Sequence, residues 1–234
     1  MYANKKILGI IPARGGSKGI PKKNLKKIND KTLIELASKF CNACGLFDEV
    51  VCSTDDIDIA AEANKWGIKT PFTRSSHLSG DQIGDLPVLK NSIHEIYNNE
   101  TFDIVILLQP TAPIRFPIDL KNGLQLLIEN DAEAVWSVQE IDSKYHPKKI
   151  LKIKDSFLSL NDPAGTNIMA RQQLSNNFIR TGAFYIFNKL AIMKSKTWYL
   201  QKTLPIIVKN SSPSIDTLDD LDIAEQVFLK ERPY

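Results

Sequence analysis

The sequence predicts an α/β protein, a mostly parallel sheet flanked by helices, and three observations carry that expectation. Short β-branched runs alternate with stretches of helical period, which is the pattern of parallel strands joined by crossover helices. The first run closes on a glycine-rich loop. The run at residues 103–109 (DIVILLQ) is apolar without alternation, as a strand covered on both faces must be. With 234 residues, 43% apolar and 24% charged, the chain can bury a sizeable core, and disorder is excluded.

Residues 7–11 read as a buried strand, closed by Pro12 and the Gly15-Gly16 pair. Leu33, Leu36, Ala37, Phe40 and Cys41 then recur at helical spacing, and residues 49–53 supply a second strand. A helix is expected over 57–66, ended by Gly67, followed by a polar stretch over 70–85 without a period. A loop of that length inside a domain is usually functional. A helix over 86–97 leads to the central strand at 103–109. Residues 120–128 read as a helix and 134–138 as a strand. Over 141–177 the period is lost and Lys148, Lys149, Lys152 and Lys154 mix with isolated apolar residues, which marks an excursion from the sheet, a flap or a dimerisation element. The sheet pattern returns at 183–187 and again at 206–208. Ser211, Ser212 and Pro213 signal a turn, and Leu218, Leu221, Ala224 and Phe228 stripe a closing helix.

Thirty basic against twenty-seven acidic residues leave a net charge of +3, too slight to imply a nucleic-acid partner. The apolar runs are far shorter than the roughly 20 residues a bilayer requires, so no membrane association is expected. Arg14 and Lys18 interrupt the N-terminal segment too early for a signal peptide, which points to a cytoplasmic protein. Three cysteines suit a reducing compartment. Cys41 and Cys44 lack a second pair or a nearby histidine, so they read as packing at a helix end. His77, His94 and His146 show no ligand spacing.

The first loop, residues 12–24 (PARGGSKGIPKKN), is the most informative stretch. Glycines let a backbone approach an anion closely, and the end of the first strand of a parallel sheet is where ligands bind in this architecture. Arg14, Lys18, Lys22 and Lys23 surround those N–H donors with cations, which suits a triphosphate better than a lone carboxylate. The loop is neither a Walker loop nor G-x-G-x-x-G.

Residues 11–24 (IPARGGSKGIPKKN) and 107–115 (LLQPTAPIR) resemble two long motifs of the acylneuraminate cytidylyltransferases, the CMP-sialic acid synthetases and their relatives. Residues 146–149 (HPKK), 171–174 (RQQL), 182–185 (GAFY) and 215–221 (IDTLDDL) match in the same order, so the resemblance covers nearly the whole chain. It implies a Rossmann-like fold of the nucleotide-diphospho-sugar transferase type over residues 1–234, with 141–177 as a dimerisation and sugar-site excursion. It also implies a homodimer, CTP and a sialic-type 2-keto-3-deoxy sugar acid as substrates, the CMP-sugar and pyrophosphate as products, and Mg²⁺ as cofactor. By match to the motifs, Arg14, Gly15, Ser17, Lys18, Lys23, Asn24 and Arg74 would bind the nucleotide, with Arg14 and Lys23 taking the catalytic charge. Gln109, Lys149, Arg171 and Tyr185 would bind the sugar acid. Asp216 would hold the metal.

Two departures stand out. Related enzymes carry Asp-x-Asp at the metal site, where this chain reads Ser214-Ile215-Asp216, and Mg²⁺ with phosphates and waters in its shell needs few protein ligands. Asp219 and Asp220 are expected in the first turn of the closing helix. At 178–182 (FIRTG) the sialic acid enzymes tend to show Arg-Pro-Asn-Gly, which leaves the identity of the sugar open. The alternatives are another nucleotide or sugar acid on the same fold, or a non-catalytic nucleotide-sugar binding module. An eight-carbon acid is disfavoured, because that subgroup carries Gln-Gly-Asp-Glu-Pro where this chain has Gln109-Pro110-Thr111-Ala112-Pro113.

Overall fold

The computed structural model describes residues 1–96, 102–209 and 214–234, in two compact units: Met1–Ser137 with Thr181–Tyr234, and Val138–Arg180. Tyr97 of the expected third helix and the turn at 211–213 lie outside the described residues.

In the first unit, β1 (Ile7–Pro12) is buried along nearly its whole length and opens into the glycine-rich loop, which contains one 3₁₀ turn at Lys23–Leu25. A small hairpin follows, β2 (Lys27–Ile28) and β3 (Lys31–Thr32), turning on Asn29 and Asp30. Both turn residues have positive φ, as a two-residue hairpin of matching twist requires. Helix α1 (Leu33–Cys44) starts at Thr32, whose Oγ1 accepts from the Glu35 N–H at 3.0 Å, and stops at Gly45 in the left-handed region. β4 (Glu49–Ser53) lies parallel to β1, and α2 (Ile57–Lys65) is capped by Asp56, which accepts from the N–H groups of Asp58 and Ile59 at 2.8 and 3.1 Å. After α3 (Asp85–Ile96), β5 (Ile104–Leu107) pairs with the other side of β1, again parallel. α4 (Pro117–Glu129) begins on a proline whose missing N–H would have had no intrahelical partner. β6 (Ala134–Glu140) leads out of the unit.

The second unit contains an antiparallel hairpin, β7 (Leu151–Lys154) and β8 (Phe157–Leu160), turned on Asp155 and Ser156 at φ 50° and 67°. The excursion from the sheet expected over 141–177 is thus a compact unit with a hairpin of its own. β9 (Phe178–Asn188) then runs back into the first unit antiparallel to β5, and α5 (Lys189–Lys194), β10 (Thr203–Ile207) and α6 (Leu218–Glu231) complete the chain.

The six-stranded sheet has the order β10-β6-β9-β5-β1-β4. One core holds Ile7, Ile11, Ile104, Ile106, Phe184 and Ile186 of the sheet against Ile34, Ala37 and Phe40 of α1 and Leu120, Leu124 and Leu127 of α4. Each fully buried aliphatic or aromatic side chain there contributes about 1.5–3 kcal/mol of transfer free energy. Because β1, β4 and β5 are parallel, the loops after Pro12, Ser53 and Leu107 all emerge at one edge of the sheet. No helix among the described residues is long and apolar enough to cross a membrane.

Candidate active site

A cavity of about 500 Å³ opens at that edge. Its walls are the loop after β1, the polar stretch after β4 and the loop after β5, with Asp85 and Val88 of α3 and Asp216 closing the remaining side. Arg14, Ser17, Lys18, Lys23, Asn24, Arg74, Gln109 and Asp216 all line it, so residues up to 202 positions apart in the chain meet in one place.

The loop cations are already paired with carboxylates. Arg14 Nη1 donates to Asp81 Oδ1 at 2.7 Å, and Lys18 Nζ lies 2.6 Å from Oδ2 of the same carboxylate. The Lys18 ammonium, followed by the Arg14 guanidinium, holds the Asp81 carboxyl below the usual carboxylate range. Lys23 Nζ donates to Asp216 Oδ1 at 2.7 Å and to the Ile215 carbonyl at 2.9 Å. Lys22 pairs instead with Asp58 of α2, whose carboxylate raises its pKa. Asn24 is buried and donates to the Arg14 carbonyl at 3.0 Å, cross-bracing the loop. Gly15 turns its N–H away to Asp55 Oδ1 at 2.9 Å, and a Cβ there would sit 2.6 Å from Asp56 Oδ2, so the close approach that requires this glycine is to the acidic segment after β4.

Arg74 is 4% exposed, with Nε donating to Ser53 Oγ at 3.0 Å and Nη2 to the Ser53 carbonyl, and burial lowers its pKa. It therefore fixes the end of β4 as well as walling the cavity. Gln109 donates from Nε2 to Asp85 Oδ2 at 2.8 Å. Arg115, 1% exposed, donates from Nε to the Ala183 carbonyl at 2.8 Å and from Nη2 to the Gln109 carbonyl, and stacks 5.5 Å from the Phe40 ring.

Tyr185 is placed differently from the expectation. Its ring is 3% exposed and packs edge-on against Trp136 and Trp198, at centroid distances of 5.7 and 5.4 Å, so β9 carries it into an aromatic core cluster rather than onto the cavity wall. β9 presents alternate residues to opposite faces and both are packed, Phe184 and Ile186 into the main core and Tyr185 against the tryptophans. Lys149 and Arg171 are exposed residues of the second unit. Arg171 lines a cavity of about 370 Å³ within that unit together with Glu140, Ser143 and His146. His146 is 5% exposed, accepts at Nδ1 from the Lys148 N–H at 3.1 Å, and has a buried Nε2 without a partner.

Asp216 precedes α6. Thr217 caps that helix by accepting from the Asp220 N–H at 3.1 Å, and Asp220 Oδ2 accepts from the N–H groups of Thr217 and Asp216 at 2.8 and 3.0 Å. Those backbone bonds, the one from Asp216 foremost, lower the Asp220 pKa. Ser214 Oγ donates to Thr111 Oγ1 at 3.2 Å. Asp216 thus offers one exposed carboxylate, paired with Lys23, and Thr111 lines the same cavity with Ser214 bonded to its hydroxyl, so the oxygens on offer are hard ones. That fits Mg²⁺ if phosphates and waters supply the rest of its shell. Among the described residues no three His, Cys, Asp or Glu side chains gather as a ready-made metal cage.

The sequence reading missed Asp81, Asp85 and Arg115. Asp81 and Asp85 sit in or beside the polar loop already marked as functional, but a lone carboxylate in such a loop has no spacing signal. Arg115 closes the second motif, where it read as part of a pattern rather than as a buried cation.

The model of the cytidylyltransferase family matches residues 8–227. The pseudaminic acid cytidylyltransferase of Campylobacter jejuni is 30% identical over 225 residues, 95% of this chain and 96% of that one. The CMP-N,N'-diacetyllegionaminic acid synthase of Legionella pneumophila is 30% identical, covering 94% of each chain. The N-acylneuraminate cytidylyltransferase of Streptococcus agalactiae is 28% identical over 92% of this chain, which spans about half (51%) of that longer protein. In fold, the chain is similar to a CMP:2-keto-3-deoxy-manno-octonic acid synthetase solved with CTP, at a TM-score of 0.73 and 19% identity over 97% of this chain and 99% of that one. A cation-lined cavity on a glycine-rich loop, a matching family model along nearly the whole chain and relatives of equal length agree: the chain belongs to the cytidylyltransferase family, among the CMP-nonulosonic acid synthetases.

Proposed function

We propose that this protein transfers the cytidylyl group of CTP to the anomeric hydroxyl of a sialic-type nonulosonic acid, a 2-keto-3-deoxy sugar acid, releasing pyrophosphate and providing an activated donor for polysaccharide assembly. The observation that carries the reading is the convergence of Arg14, Lys18 and Lys23 on one cavity at the end of β1. Arg14 and Lys18 share the single carboxylate of Asp81, so a triphosphate entering the cavity can take the place of that counter-ion.

The reaction forms a bond between the sugar oxygen and the α-phosphorus and breaks the bridging P–O bond to the β-phosphate. The hydroxyl proton leaves to solvent. No covalent protein intermediate is required, and the residues contribute position and charge. Arg14 and Lys18 hold the β- and γ-phosphates, Lys23 faces the charge that develops at the α-phosphate, and Gln109 orients the acid. Asp216 would hold Mg²⁺, which when bound neutralises phosphate charge as pyrophosphate departs. Ser17 and Arg74 complete the nucleotide wall. Gly15 and Asn24 shape the loop, because the Gly15 N–H and the Asn24 Nδ2 are committed within the protein.

The second unit supports a homodimer. Ile153, Phe157, Leu158 and Met169 are 68–89% exposed, more apolar surface than a small unit normally leaves in water. Lys149 and Arg171 on that unit are then suited to meet the sugar carboxylate of a composite site. The three free thiols agree with a cytoplasmic setting. The test is pyrophosphate release from CTP across a panel of nonulosonic and octulosonic acids with and without Mg²⁺. The expected result is release only with a nonulosonic acid and metal together. Equal release with a sugar 1-phosphate in place of the acid would contradict the reading.

A further inference from the structure

Gln109 is held from three directions before any ligand arrives. Its Nε2 donates to Asp85 Oδ2 at 2.8 Å. Its Oε1 lies against Gly182, which has a φ of +73° and where a Cβ would collide with that oxygen. Its main-chain carbonyl accepts from Arg115, whose other hydrogen bond ties the same region to Ala183 on β9. A free glutamine loses rotamer freedom when it is fixed, and a side chain already fixed does not lose it again on binding.

The chemistry of the two side-chain contacts decides which edge of the amide points where. A carboxylate only accepts, so Asp85 selects the NH₂ edge of Gln109 and leaves the oxygen on the Gly182 side. Asp85 opens α3, where the helix dipole favours a negative charge and one backbone position is fixed by the helix itself. Gly182 directly follows residues 178–181 (FIRT), where this chain departs from the Arg-Pro-Asn-Gly order, and keeps the glycine that lets Gln109 approach.

We propose that Asp85 is a positioning residue for the sugar acid: it acts through Gln109, fixing the orientation of the amide, and so sets acceptor affinity without itself touching the acceptor. This rests on the reading of Gln109 as a sugar-acid contact.

The experiment compares Asp85→Ala, Asp85→Asn, Gln109→Ala and the double variant Asp85→Ala/Gln109→Ala, measuring KM for the acid and for CTP separately. Asp85→Ala is expected to raise KM for the acid about tenfold, the size of one charge-assisted hydrogen bond, and to leave KM for CTP within about twofold. Asp85→Asn keeps an acceptor oxygen and is expected to recover most of the loss. In the Gln109→Ala background Asp85→Ala is expected to add nothing. An Asp85→Asn variant as impaired as Asp85→Ala, an equal rise in KM for CTP, or additive losses in the double variant would overturn the proposal. If the wild-type protein makes no CMP-sugar from any acid, the functional reading falls, and the side-chain amide resonances of Gln109, assigned by their absence in Gln109→Ala, then decide the positioning alone. They are expected to show a proton shifted and protected from exchange in the wild type and in Asp85→Asn, and free-glutamine positions in Asp85→Ala. Identical spectra in all three proteins would overturn it.

Discussion

Asp216 has two relations at once: its carboxylate meets Lys23 Nζ at 2.7 Å, and its backbone N–H is tied to Asp220. Its neighbour Asp219 lies in the first turn of α6, where a carboxylate contributes mainly a dipole interaction. The two aspartates therefore separate site chemistry from helix stability. Asp216→Ala is expected to lower turnover by about 100-fold or more, the scale of losing a charge-organising group in a displacement site. Asp219→Ala is expected to leave turnover within about twofold and to cost at most about 1 kcal/mol of stability. Steady-state rates and urea midpoints on the two variants check this pair. Ser214→Asp restores the Asp-x-Asp arrangement and is expected to lower the Mg²⁺ concentration giving half-maximal rate, which a metal titration reads directly. At the same scale, Asp81 is a resident competitor for phosphate: Asp81→Asn is expected to tighten CTP binding a few-fold by calorimetry, since a neutral amide no longer pairs with Arg14 and Lys18.

Among the elements, α6 shows how a cap can serve a site. Thr217 and Asp220 satisfy each other's end of the helix, and Asp220 also receives the Asp216 N–H. Thr217→Ala is expected to cost about 1 kcal/mol in urea denaturation. Asp220 is held below its ordinary pKa chiefly by the Asp216 N–H, then by Thr217. Its contribution is therefore fully present above the unfolded-state carboxylate pKa, about 4, and is lost as pH falls through the lower folded value. Asp220→Asn and the wild type should approach each other in stability as pH falls from about 4 and converge only below the lower folded value. The same helix was legible in the sequence, because Leu221, Ala224 and Phe228 form a clear stripe and Asp219 and Asp220 mark its start. β1, β4 and β5 were legible for a similar reason: buried parallel strands are short apolar runs with sharp ends. The hairpin of β7 and β8 was not. Leu151, Lys152, Ile153 and Lys154 do alternate, but both faces are exposed and Asp155-Ser156 is a weak turn signal beside Asn-Gly. Nor could the direction of β9 be read, since apolar runs look alike parallel or antiparallel. Of the site, the glycine loop and Gln109 were visible in motifs, whereas Asp81, Asp85 and Arg115 matter through contacts that only the fold creates.

For the molecule as a whole, the uncovered apolar side chains of the second unit call for a partner, and a second copy is the proposed one. Phe157→Asp, at a position 77% exposed, is expected to leave the fold of the first unit intact and to shift sedimentation from dimer to monomer with loss of activity. A fully active monomer in the wild-type protein would contradict the composite site. The central claim is that the cations at the end of β1 serve transfer of the α-phosphorus of CTP to a sugar acid. Its most direct test is to supply CTP labelled at the α-phosphorus, Mg²⁺ and a nonulosonic acid, and to follow the label in wild type and in Lys23→Met. The label is expected to appear in a CMP-sugar formed one-for-one with unlabelled pyrophosphate, and Lys23→Met to reduce this at least about 100-fold. Label remaining in CTP, or released as free CMP regardless of the acid, would contradict it.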